Sequence, residues 1–137
     1  MARHNEKVEL LKRVPLFADC SRGELEQIAQ IADEIDLREG KEMTTQGGRG
    51  REFFVLLEGD ADVTKDGRRI NTLSSGDFFG EIALVSDSPR TATVTATSPV
   101  RALVITDRSF RRLLEDVPEI QAKVLSALAA RLAPELV

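Results

Sequence analysis

Residues Phe79–Ala96 read FGEIALVSDSPRTATVTA. Gly80 lets the backbone approach another group closely. Glu81, Ile82, Ala83 and Leu84 are good helix formers and predict a single helical turn. The N–H groups that open such a turn have no partner within it and favour an anion. Ser86, Asp87 and Ser88 continue as a polar loop, and Pro89-Arg90 closes it. Thr91 to Thr97 then alternates threonine with Ala92, Val94 and Ala96, the pattern of a half-buried strand.

Arg90 stands nine residues after Glu81. A loop of that length can fold back and bring the guanidinium over the turn, where its fork matches phosphate oxygens better than a lysine would. Glu81 beside an anion cradle fits a ligand that carries hydroxyls next to its phosphate. A carboxylate accepts from a ribose hydroxyl and repels a second phosphate. The combination points to a nucleotide with one phosphate charge and a free ribose hydroxyl, which is a cyclic nucleotide rather than a triphosphate. The competing reading is a plain surface ion pair between Glu81 and Arg90, worth under about 1 kcal/mol.

Outward from this stretch the chain reads helix, many short strands, then helix. Residues 6–12 place Val8, Leu10 and Leu11 on one face, and Pro15 breaks the segment. Ser21 with Glu24 three residues on predicts a capping box, opening a helix that runs to about Ala32. Ile35 and Leu37 alternate with charges, Lys41–Gln46 forms a short polar strand, and Gly47–Gly50 (GGRG) is a mobile loop by composition. The apolar run Phe53–Leu57 predicts a strand buried on both faces. Asp66-Gly67 predicts a hairpin between Ala61–Lys65 and Ile70–Leu73, with Arg68-Arg69 as its solvated end. Val100–Ile105 is one more strand. Thr106 or Asp107 caps a helix bearing Phe110, Leu113 and Leu114, with Arg108, Arg111 and Arg112 exposed. Pro118 opens a last helix with Ile120, Val124, Leu125, Leu128 and Leu132 as its apolar stripe, ended by Pro134. Strands at this spacing with glycine corners indicate a mainly β fold, a jelly roll or β-roll with flanking helices. Phe53, Phe54, Phe78 and Phe79 read as core rather than as a stacking platform.

Length and composition narrow the functions. The chain has 137 residues, 42% hydrophobic and 31% charged, which suits one globular domain. Its net charge of -4 argues against broad nucleic-acid binding and against an anionic membrane surface. No apolar run approaches the roughly 20 residues that span a bilayer. The single cysteine, Cys20, allows no intrachain disulfide and fits a reducing, cytoplasmic setting; with no base nearby it reads as a small buried or helix-flanking residue. The single histidine, His4, leaves no ligand set for a metalloenzyme on a related β-roll and no base for a Ser-His-Asp mechanism.

The segment FGEIALVSDSPRTATV resembles the phosphate-binding cassette of cyclic nucleotide-binding domains. FFVLLEGDADV resembles the strand–glycine–strand of that family, and LSSGDFFGE its approach to the cassette. The resemblance covers about Leu16 to Leu132. It implies one domain over 1–137: N-terminal helices 1–34, a β-roll 35–105 with a phosphate-binding loop 79–91, and a C-terminal helical lid 106–134. It implies that Glu81 accepts from the ribose 2′-hydroxyl, and that Gly80, Ile82 and Ala83 offer backbone N–H groups. Arg90 pairs with an exocyclic phosphate oxygen, and Thr91 adds donors. Val63 and Leu73 pack the base, and Arg131 contacts the ligand from the lid, with Leu128 as the apolar alternative. The ligand implied is cAMP or cGMP, with no cofactor and no catalysis. Binding is coupled to movement of the C-terminal helices and passed to a partner protein or a second copy through the last helix. Two departures stand out. Arg51 occupies a position where many members carry an acidic residue that supports the phosphate arginine, so that support is absent or comes from Glu52. The chain also ends at Val137, so no DNA-reading helix is expected. The alternative is the same roll with a degenerate pocket, used as a ligand-independent structural or oligomerisation domain.

Overall fold

The computed structural model describes residues 2–80 and 89–136, apart from the side chains of 2–5, 127, 128 and 131–136. Helix α1 (Ala2–Lys12) leads into a 3-10 turn at Pro15–Phe17 and helix α2 (Arg22–Ile31). The strands are β1 (Asp33–Leu37), β2 (Glu42–Thr44), β3 (Glu52–Glu58), β4 (Ala61–Lys65), β5 (Arg68–Leu73), β6 (Phe78–Phe79), β7 (Thr93–Ala96) and β8 (Val100–Thr106). Helices α3 (Asp107–Asp116) and α4 (Pro118–Leu136) follow. The strands form two antiparallel sheets, ordered β1-β8-β3-β6 and β2-β7-β4-β5, which face each other as a roll. Among the described residues no helix is long and apolar enough to cross a membrane.

The first sheet is buried on both sides, and β3 shows how. Its residues Phe53, Val55 and Leu57 join a core shared with the helices, while Phe54 and Leu56 face the roll interior. Period-2 alternation with no polar member is what a strand between two cores requires. The helix-side core is closed by Phe17, Ile28, Phe110, Leu113 and Ile120, with Phe53 stacked on Phe110 at 4.2 Å between centroids. The roll interior holds Phe54 stacked on Phe79 at 4.8 Å, together with Ala61, Leu73, Val94 and Ala102. The four phenylalanines around β3 and β6 are therefore core, as their sequence context predicts.

Local signals set the ends of the elements. The Glu24 amide donates to Ser21 Oγ at 3.1 Å and the Ser21 amide to Glu24 Oε1 at 2.8 Å, completing the capping box of α2. Thr106 Oγ1 accepts from the Ser109 amide at 3.3 Å and caps α3. At the β4–β5 hairpin Asp66 and Gly67 both have positive φ, 54° and 78°, the signature of a type I′ turn. The Gln46 side chain exchanges two bonds of 2.8 Å with Asp66, tying that hairpin to the loop before β3.

Several expectations are revised. The polar strand at 41–46 shrinks to Glu42–Thr44, since its pairing with β7 is irregular there. The GGRG loop is tethered rather than mobile by main-chain bonds described below. Thr91 and Ala92 bend outside the ladder, which starts at Thr93. Helix α4 runs two residues past Pro134 rather than ending at it. The predicted stripe of α4 splits: Ile120 and Val124 are buried, and Leu125 is 53% exposed. Leu128 and Leu132 lie on α4, with side chains outside the described set.

Candidate functional site

The site is built around one buried cation. Arg90 is 6% exposed, and the other buried residues among those described are nearly all apolar. Its main chain is anchored first: the Gly47 amide donates to the Arg90 carbonyl at 2.8 Å, and the Arg90 amide to the Gly48 carbonyl at 2.8 Å. This reciprocal pair, helped by the Gly48 amide donating to Thr45 O at 2.9 Å, orders the GGRG loop. It also bends the chain just before Thr91, which explains why Thr91 is exposed and outside the ladder.

The guanidinium is then oriented by two carbonyls. Nη1 donates to Gly80 O at 3.0 Å and Nη2 to Glu52 O at 2.7 Å. The first bond joins residue 90 to residue 80 and so draws together the two ends of the intervening loop. Glycine makes the seat sterically possible. A Cβ on Gly50 would lie 1.9 Å from Arg90 Nε and 2.2 Å from Cζ, a full overlap. Gly80, at φ 99°, would place a Cβ 2.8 Å from Glu52 O and 3.0 Å from Arg90 Nη1. Arg90 and Glu52 also wall a hollow of about 260 Å³ between β2 and residues 48–50.

Of the sequence-predicted residues, the structure brings Gly80 and Arg90 into direct contact. Val63 is half-buried and Leu73 buried, both on the roll side of the second sheet, with Val63 opposite Val94 and Leu73 opposite Ala61. Glu81, Ile82 and Ala83 lie outside the described residues, as does the predicted helical turn. Arg131 lies on α4, with its side chain outside the described set. Glu52 does support Arg90, through its main-chain carbonyl. Arg51 turns instead toward Asp107, 3.7 Å away. Gly50 was missed by sequence reasoning. The available signal was three glycines in four residues next to a buried strand, which marks close backbone approach as readily as mobility. Among the described residues no group of three His, Cys, Asp or Glu side chains could hold a metal ion.

The family model described as the cyclic nucleotide-binding domain matches residues 34–117. The chain is 42% identical over 118 residues to a cAMP-dependent protein kinase regulatory subunit of Mycosarcoma maydis, covering 77% of this chain and 22% of that protein. It is 34% identical over 128 residues to the cGMP-dependent protein kinase egl-4 of Caenorhabditis briggsae, covering 88% and 17% respectively. The chain thus spans about a fifth of the length of these two relatives. A solved structure of PKAR CBD2 with Sp-2Cl-cAMPS bound aligns with a TM-score of 0.81 and 27% identity, over 98% of this chain and 94% of that one. The matched span runs from β1 through α3, taking in both sheets and the seat of Arg90, and the chain belongs to the cyclic nucleotide-binding domain family.

Proposed function

We propose that residues 1–137 act as one sensor unit that binds cAMP or cGMP in the roll and passes occupancy to its C-terminal helices. The observation that carries this reading is the buried Arg90, held at the neck of the loop by the carbonyls of Gly80 and Glu52 and given its space by Gly50. A guanidinium fixed in this way can fork onto a phosphate without first losing side-chain freedom. Glu81, next in the chain, is the proposed acceptor for the ribose 2′-hydroxyl, and Ile82, Ala83 and Thr91 supply further donors. Val63 and Leu73 line the side of the roll where the base would pack, and Arg131 of α4 is the proposed lid contact.

The module binds rather than catalyses. Its partner is another protein, or a second copy, reached through α4, in a cytoplasmic setting where a lone thiol stays reduced. Relatives named as a kinase regulatory subunit and a cyclic-nucleotide-dependent kinase support this reading. Differential affinity supplies the coupling: a ligand that contacts both loop and lid favours the conformation in which the two are close.

A thermal-shift titration tests the proposal. Ligand at about 100 times its dissociation constant adds about 2.7 kcal/mol of stability. cAMP or cGMP at millimolar concentration should raise the melting temperature, and Arg90→Ala should abolish that rise while the apo protein still melts cooperatively. No rise with either nucleotide overturns the reading.

A further inference from the structure

Glu52, the first residue of β3, and Arg51 just before it point their carbonyls at two different parts of the molecule. Glu52 O receives Arg90 Nη2 at 2.7 Å. Arg51 O receives the amide of Asp107, the first residue of α3, at 2.6 Å. The Arg51 guanidinium also lies 3.7 Å from the Asp107 carboxylate, which is only 21% exposed. That carboxylate further accepts the Arg108 amide at 2.8 Å, so it is fixed to the opening turn of the helix. On the same rung of the sheet Glu52 pairs with Thr106, the residue that caps α3. One peptide unit therefore separates the acceptor that orients Arg90 from the acceptor that holds the root of the C-terminal helices.

We propose that Arg51 and Asp107 clasp the root of α3 to the strand that orients Arg90, so that what Arg90 binds is felt in the first turn of that helix. Arg51 and Asp107 are positioning residues. A shift of the strand segment that carries the Glu52 carbonyl also carries the neighbouring peptide, and that peptide is bonded to Asp107. Arg51 has a reason to be basic in this arrangement. An acidic side chain there would face the Asp107 carboxylate and weaken the clasp by like-charge repulsion. The link between Arg90 and α3 does not depend on a ligand, although its role as a signal rests on the proposed nucleotide binding.

Amide hydrogen exchange on the full chain without ligand tests it. The readout is the exchange rate of the Asp107 amide relative to the Val117 amide, which closes the other end of α3 on Leu113 O at 2.9 Å. Arg90→Ala should raise that ratio about fivefold, as expected for groups that share a bonded network. Arg51→Ala should raise it about twofold and Arg51→Lys should restore it, because the lost part is an exposed ion pair. The double variant Arg90→Ala/Arg51→Ala should fall short of the product of the two effects. An unchanged ratio in Arg90→Ala, or effects that simply multiply, overturns the clasp; if Arg90→Ala does not fold, Arg90→Lys is read by the same criterion. Saturating cAMP forms the second arm. Binding without movement of the ratio also overturns the clasp as a signal route. Failure of cAMP and cGMP to bind removes the functional reading, and the ligand-free comparison still decides the clasp.

Discussion

The sheet β1-β8-β3-β6 separates two interiors with different characters. On its helix side Phe53, Phe110, Leu113, Ile120 and Ile28 are almost completely sealed, and four helices and a 3-10 turn supply the walls. On its roll side the buried set includes Ala61, Ala96 and Ala102, and the opposing sheet ends in β5, exposed along its length except at Leu73. The one buried cation among the described residues, Arg90, belongs to the loops at the roll rather than to the helices. The difference teaches a division of labour: the helix side is wholly apolar and holds the molecule together, while the roll mixes Phe54, Leu56 and Phe79 with three alanines and adds a charged seat at its loops.

The largest expected effect lies on the helix side. Phe110→Ala removes a completely buried ring stacked on Phe53 and should cost about 3–5 kcal/mol by chemical denaturation. Surviving folded protein should still respond to nucleotide. A cost below about 1 kcal/mol would break the comparison. Next comes Cys20, packed against the same core. Burial first, then the nearby Glu24 and Glu119 carboxylates, pushes its thiol from the ordinary 9.0 up to about 11. Alkylation by iodoacetamide at pH 8 should therefore run about a hundredfold slower than for an ordinary thiol and keep accelerating toward pH 11. Labelling at the ordinary rate would mean that this edge of the helix side opens readily. Gly50→Ala acts at the charged seat. The added methyl overlaps Arg90 and should cost about 1–3 kcal/mol, with loss of the nucleotide-induced melting shift. Retention of the full shift would show that the guanidinium has another way to sit. The smallest effect belongs to Ile70→Thr on β5. This side chain is 59% exposed, and the change in stability should stay under about 0.5 kcal/mol.

Much of this architecture was legible because its causes are local. The Ser21 capping box, the Thr106 cap, the Asp66-Gly67 turn and the unbroken apolar run of β3 each carry their own geometry within a few residues. Which face of β3 meets which core is also a matter of alternation. The site was legible in part. The quoted stretch marks Gly80 and Arg90 as residues of one loop, and the structure joins them by a bond from the guanidinium to the Gly80 carbonyl, a partner the stretch itself does not specify. The rest depends on contacts across long sequence distances. Gly50 reads as a spacer until Arg90, forty residues later, is seen lying against it. Thr91 has the composition of a strand, but the main-chain bonds that Arg90 accepts from Gly47 and donates to Gly48 bend the chain there first. The Arg51–Asp107 pair joins residues whose proximity exists only once β3 and β8 have aligned.

That alignment has a consequence for how the chain acquires its shape. In the first sheet β8 lies between β1 and β3, so among the described strands the one latest in chain order takes an interior place beside the earliest. During translation the edges of β1 and β3 that pair with β8 stay open until Val100–Thr106 has been made. Pairing over such separations is slow, and refolding on the millisecond-to-second scale typical of β-rich topologies is expected. An early strand left waiting is open to a neighbouring polypeptide, so productive refolding should fall as protein concentration rises.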